Sequence, residues 1–195
     1  MTARVPVLIV GGGPVGLALA GDLGWRGVPC TLIEKTDGAI EQPKMDLVGI
    51  RTMEFCRRWG ILDWVRDAPY PLDYPQDYIY VTGLNGYELA REPFPGRGFE
   101  PCPPESPQKR ERVPQDMFDP ILKTFAESQP GVSLRYGVKL TGLRQSNDGV
   151  EADGQTVRTH AGTRSIRHAS RSTRTILTGI LSPMRNRFPV RSPES

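Results

Sequence analysis

The first apolar run, Val7-Leu8-Ile9-Val10, is short and unbroken, the pattern of a strand buried on both faces of a parallel sheet. It passes directly into Gly11-Gly12-Gly13-Pro14-Val15-Gly16 and then into an apolar stretch that reaches Ala20. Strand, glycine turn and helix are the expected order. A second run, Pro29-Cys30-Thr31-Leu32-Ile33, predicts a parallel partner strand and places Glu34 at its carboxyl end.

Later elements follow from the same patterning. Met53, Cys56, Trp59 and Leu62 recur at helical spacing within Asp46–Trp64, with Arg57 and Arg58 on the outer face. Gly60 should close that helix, and Ile61–Arg66 should make another short turn. Tyr78–Thr82 and Tyr87–Leu89, flanking Gly83-Leu84-Asn85-Gly86, predict a hairpin with an Asn-Gly turn. Gly96–Pro107 reads as a proline-rich loop. Met117, Phe118, Ile121, Leu122 and Phe125 give Gln115–Ser128 the spacing of an amphipathic helix. Val132–Leu134 is then the third parallel strand, followed by a small antiparallel hairpin, Lys139–Arg144 with Val150–Ala152, around Asn147-Asp148-Gly149.

The glycine turn suits a dinucleotide. Gly11 can take the angles of a sharp turn, Gly13 lets the main chain approach a pyrophosphate, and Gly16 lets the helix lie close to the strand. The free amides of the helix beginning near Pro14 would face the phosphates. Glu34 stands where a carboxylate accepts hydrogen bonds from an adenosine ribose. A ligand-free strand-turn-helix corner would explain the glycines but not the acid. A secretory leader ending near Leu19-Ala20-Gly21 would require an apolar core uninterrupted by three glycines and a proline.

Composition narrows the class. A chain of 195 residues, 37% hydrophobic and 24% charged, is ordinary for a globular α/β domain. Cys30, Cys56 and Cys102 are widely spaced and odd in number, which favours reduced thiols and a cytoplasmic setting over a disulfide framework. His160 and His168 have no evident ligand partners, so no metal is expected. The net charge of +3 belongs to the residues from Gln155 onward, which hold many arginines, no lysine and one acid, Glu194. Such a segment is expected to be solvated rather than a specific nucleic-acid site. No stretch is long and apolar enough to suggest a membrane span.

Three stations in order carry a family resemblance: the glycine loop with Glu34, the segment from Gln42-Pro43-Lys44-Met45-Asp46 through Arg51-Thr52 to Arg57-Arg58-Trp59-Gly60, and Arg112-Val113-Pro114-Gln115. Together they resemble the FAD-dependent aromatic-ring monooxygenases, particularly the phenol hydroxylase branch, over about the first three quarters of the chain. The resemblance implies a Rossmann-like FAD-binding domain with a parallel sheet and an inserted hairpin region, here incomplete. Residues 1–154 would form that partial domain. Residues 155–195 would form a poorly ordered Arg/Ser/Pro-rich tail, with a short helix around Thr173–Leu181 closed by Pro183. Ala161-Gly162-Thr163-Arg164-Ser165 would be the remnant of the family's mid-chain Asp-Gly motif.

The same resemblance implies roles. Gly11, Gly13, Pro14, Gly16 and Glu34 would hold FAD, Lys44 would supply a basic group near it, and Gln115 would contact the flavin-bearing half. Arg51 would lie beside the flavin, or else serve as a surface ion-pair partner. Asp46 would orient or deprotonate a phenolic hydroxyl, or else cap the following helix. The implied reaction consumes NADPH or NADH and oxygen and hydroxylates an aromatic small molecule. A noncatalytic dinucleotide-binding fragment is the competing reading, because relatives are much longer. Apolar surface left by the missing part of the fold should make the chain poorly soluble or dependent on a partner chain or a second copy.

Overall fold

The computed structural model describes residues 2–146, 149–157 and 175–179. In chain order the elements are β1 (Thr2–Arg4), β2 (Val7–Val10), α1 (Pro14–Trp25), β3 (Cys30–Glu34), β4 (Leu47–Val48), α2 (Ile50–Trp59), α3 (Leu62–Arg66), β5 (Tyr78–Val81), β6 (Glu88–Glu92), β7 (Glu111–Arg112), α4 (Gln115–Glu127), β8 (Val132–Tyr136), β9 (Val138–Ser146), β10 (Gly149–Thr156) and β11 (Thr175–Gly179). The apolar runs read as buried strands form one parallel sheet in the order β2-β3-β8. Val10 pairs with Ile33, and Glu34 with Tyr136, so the carboxyl ends of the strands lie side by side.

α1 and α4 pack together beside this sheet. α1 is apolar around most of its circumference and carries glycine where neighbours come closest: a Cβ on Gly21 would lie 2.5 Å from the Phe125 ring. Leu17, Ala20, Leu32, Phe118, Leu122 and Phe125 make the core, and Met53, Cys56 and Trp59 of α2 extend it. Trp59 stacks on Phe125 at 5.2 Å between centroids and donates its indole N–H to Asp22 of α1 at 2.9 Å. The amphipathic spacing seen in the sequence thus joins three helices.

Five features differ from the sequence expectation. The helix expected from Asp46 begins only at Ile50, because Leu47–Val48 pairs antiparallel with β7. Gly60 does close it, in the left-handed conformation. The hairpin β5–β6 forms, but Thr82 and Tyr87 close a four-residue turn in which Gly83 accepts from Gly86 N–H; Asn85-Gly86 is not the two-residue centre, and Gly86 has no positive φ. Thr175–Gly179 is a strand, not a helix: it pairs in parallel with β1 and antiparallel with β10, closing a sheet of order β1-β11-β10-β9. The β9–β10 hairpin is longer than expected, and β1 was not anticipated. His160, His168 and residues 161–165 lie outside the described residues.

The segment expected as a proline-rich loop is tied down by one buried cation. Arg97 is 2% exposed and pairs with Glu111, 4% exposed, at 2.7 Å. Its remaining N–H groups donate to the carbonyls of Val65 and Arg66 at 2.8 and 2.6 Å and to those of Ala68 and Tyr70 at 3.0 Å. One guanidinium therefore terminates α3, fixes the turn after it and anchors β7. By contrast, every residue of β5 and β6 is exposed, leaving a two-stranded ribbon bare on both faces.

Arg97→Met should destabilise the fold by about 3–5 kcal/mol, because Glu111 and four carbonyls lose their donor inside the protein. Lys109, 3.4 Å from the second Glu111 oxygen, compensates only in part. Urea denaturation of Arg97→Met and of Arg97→Met with Glu111→Leu checks the cause: the double variant should recover part of the loss.

Candidate functional site

The loop after β2 is shaped first by Gly11 and Gly16. Gly11 has φ +111 and donates its N–H to Ile33 O at 2.8 Å, turning the chain across the end of β3. A Cβ on Gly16 would lie 2.0 Å from Gly11 O, so the first turn of α1 sits directly against the loop backbone. Gly13 is different. A Cβ there would meet nothing within 4 Å, and Gly13 is the N-cap of α1 without any side-chain cap. Pro14 opens the helix, where its missing N–H costs nothing. An open trench of ≈ 550 Å³, lined by residues 7–11, 13–16 and 19, runs along β2 to this point.

Glu34 closes the other side. Its Oε2 accepts from Gly12 N–H at 2.8 Å, and its Oε1 accepts from Thr36 N–H and the Thr36 hydroxyl, both at 2.9 Å. Partial burial pushes this carboxyl up, but the three hydrogen bonds outweigh it and hold it below the usual carboxylate range. Gly12 and Thr36 are thus members of the site that spacing alone did not single out. A Cβ on Gly12 would lie 2.8 Å from Glu34 Cβ, which makes glycine obligatory at the middle position as well.

A second platform is built from residues 44–48 and 111–115. Val113 N–H donates to Asp46 O at 3.0 Å, Gln115 N–H to Met45 O at 2.9 Å, and Lys44 N–H to Gln115 Oε1 at 3.0 Å. Asp46 and Arg112 form an ion pair, and Arg112 Nε donates to Gln76 Oε1 at 2.7 Å. Gly49, not Asp46, is the N-cap of α2, so the capping alternative for Asp46 is ruled out. Its carboxylate stays 59% exposed beside Arg112. The Lys44 side chain is exposed. Arg51 pairs with Glu54 at 2.7 Å and lies over the Phe55 ring, 72% exposed, so its ion-pair alternative is realised in this structure. Arg112 and Gln76 are further members of this cluster. Arg112 was visible as part of a motif, whereas Gln76 lies in a loop without any local signal.

A glycine turn, a helix end open to solvent and a carboxylate at the end of the next strand define a dinucleotide cradle. Comparison with known proteins decides which kind. The FAD binding domain family matches residues 4–167. The chain belongs to this family. Among its relatives, the FAD-dependent monooxygenase apdD of Emericella nidulans is 34% identical over 160 residues, 75% of this chain and 25% of that protein. Phenol 2-monooxygenase of a Pseudomonas species is 29% identical over 150 residues, 74% of this chain and 24% of that protein. The rebeccamycin biosynthetic enzyme RebC, solved with reduced flavin, superposes with a TM-score of 0.77 at 32% identity, over 92% of this chain and 32% of that one. The chain therefore spans about a quarter of the length of these curated relatives. The expected resemblance to flavin monooxygenases and the Rossmann-like FAD-binding fold both hold. The family match also runs past residue 154, the boundary read from composition. No helix among the described residues is long and apolar enough to cross a membrane.

Two outcomes test the cradle. Gly16→Ala should cost at least about 1–3 kcal/mol through the forced contact with Gly11 O, read as a lowered Tm. Glu34 has a folded pKa below its unfolded one, so its contribution is complete above the ordinary glutamate value and is lost as pH falls through the lowered folded value. Glu34→Gln should therefore flatten the acid limb of a stability-against-pH curve; an unchanged limb would show that the three hydrogen bonds do not hold Glu34 ionised.

Proposed function

We propose that this chain is the FAD-holding portion of a monooxygenase that hydroxylates phenolic or other aromatic small molecules. The observation that carries the reading is Glu34, held ionised by Gly12 and Thr36 at the end of β3, with the uncapped start of α1 opening beside it. These residues fit the ribose and the pyrophosphate of an adenosine diphosphate moiety. Glu34 retains a lone pair on Oε2 for a ribose hydroxyl, and the first turn of α1, which follows Gly13 and in which Pro14 has no N–H of its own, presents the remaining free N–H groups to the pyrophosphate. Gly11 and Gly16 shape the loop that brings them there. Lys44 supplies positive charge near the cofactor, Arg51 being paired with Glu54, and Gln115 lies toward its flavin-bearing half. When bound, FAD supplies the redox chemistry, with NADPH or NADH as reductant and oxygen as co-substrate.

Within this reading Asp46 faces the aromatic substrate. Its carboxylate, exposed and aligned by Arg112, accepts a hydrogen bond from a ring hydroxyl and takes up the proton as the ring becomes more nucleophilic. The ion pair also favours a second reading, a dinucleotide-binding module without turnover, in which Asp46 is engaged structurally by Arg112. A soluble setting in the cytoplasm, without membrane or specific nucleic-acid partners, agrees with either reading.

Titration of the purified chain with FAD, followed by flavin fluorescence and by the visible band retained after desalting, tests the proposal. The chain should retain FAD, and Glu34→Ala should weaken binding by about tenfold or more, since charge-assisted hydrogen bonds are lost. Absence of any bound flavin would overturn the monooxygenase reading for this chain. Substrate-stimulated NAD(P)H oxidation by the FAD-loaded chain, abolished in Asp46→Asn, separates the monooxygenase from the silent module.

A further inference from the structure

Asp119 takes no part in the function described above. It lies in the second turn of α4, 4% exposed, and burial pushes its carboxyl up. Its Oδ2 accepts from Gln115 Nε2 at 3.1 Å, and its Oδ1 is buried without any hydrogen-bond partner among the described residues. Keeping a carboxyl here is costly, so what it holds is informative.

A primary amide rotated by half a turn exchanges its donor and acceptor ends. A carboxylate beside it accepts only, and therefore selects one of the two orientations. Facing Asp119, Gln115 must present Nε2 inward, which leaves Oε1 toward Lys44 N–H, as observed at 3.0 Å. That bond is the outermost rung of a ladder that runs through Gln115 N–H to Met45 O, Val113 N–H to Asp46 O, and the paired residues of β4 and β7.

We propose that Asp119 is a positioning residue of the cofactor site: by fixing the amide of Gln115 it holds the Lys44 backbone, and with it the segment that carries Lys44 and Asp46. Gln115 then acts chiefly through the main chain, with one N–H left for a ligand. The word cofactor rests on the function proposed above, while the relay from Asp119 to Lys44 does not.

The test is amide hydrogen exchange at Lys44 in the FAD-free chain, with FAD affinity measured in parallel. Asp119→Leu and Asp119→Ala should each lower protection of the Lys44 amide by about tenfold, leave the β3 amides protected, and weaken FAD binding by a similar factor. Asp119→Asn keeps an acceptor for Gln115 Nε2, and because Lys44 N–H on the other side admits only Oε1, this variant should stay within about threefold of the unmodified chain. Unchanged Lys44 protection in both the leucine and alanine variants, or an equal loss in the asparagine variant, overturns the relay. If one removal variant does not fold, the other and the asparagine variant decide. If the unmodified chain binds no FAD, the cofactor reading falls, and the exchange data still decide whether Asp119 holds Lys44.

Discussion

The site depends on how closely α1 approaches the turn that precedes it. Gly16 sits against Gly11 O at a separation that excludes even a methyl group, and this contact aims the first turn of the helix along the end of β2. Everything else in the cradle is measured from that approach. The loop can then offer Gly12 N–H to Glu34, Glu34 can reach Thr36, and β3 and β8 keep the register that places Glu34 beside Tyr136. A dinucleotide site in a parallel sheet is thus less a set of ligating groups than a packing distance with hydrogen bonds fitted around it.

The second platform is organised differently. Residues 44–48 and 111–115 are far apart in sequence and share no periodic pattern, yet five main-chain and side-chain interactions bind them edge to edge. Lys44, Asp46, Arg112 and Gln115 all belong to it, so the main chains that carry them are tied to one another. Arg97 plays the supporting part on the far side: through Glu111 it anchors the same β7 strand, and through four carbonyls it fixes the end of α3.

The parts legible in the sequence were those whose cause is local. A buried strand, a glycine turn and an acid about twenty residues later each follow from contacts within one βαβ unit, and the apolar spacing of α2 and α4 reports their buried faces directly. What escaped depends on distant partners. Asp46 looked like a helix cap because the chain beyond it is helical; only its pairing with Arg112 and the strand pairing of Leu47–Val48 move the cap to Gly49. Thr175–Gly179 holds only Ile176 and Leu177 as apolar residues and has no decisive period, and its strand state comes from pairing with β10 and with Thr2–Arg4 at the opposite end of the sequence. Arg97 resembled any arginine in a proline-rich loop, since nothing near it announces a buried Glu111.

The three thiols differ in a way that has a practical side. Cys30 and Cys56 are buried, the latter with its thiol pushed up to about 12 by burial, whereas Cys102 is exposed in the loop that Arg97 anchors. Reactivity with electrophiles follows thiolate content and access, so a maleimide dye added near neutral pH attaches selectively at Cys102. The native chain therefore comes with a single built-in labelling point, placed so that fluorescence polarisation follows the anchoring of that loop without any engineered residue.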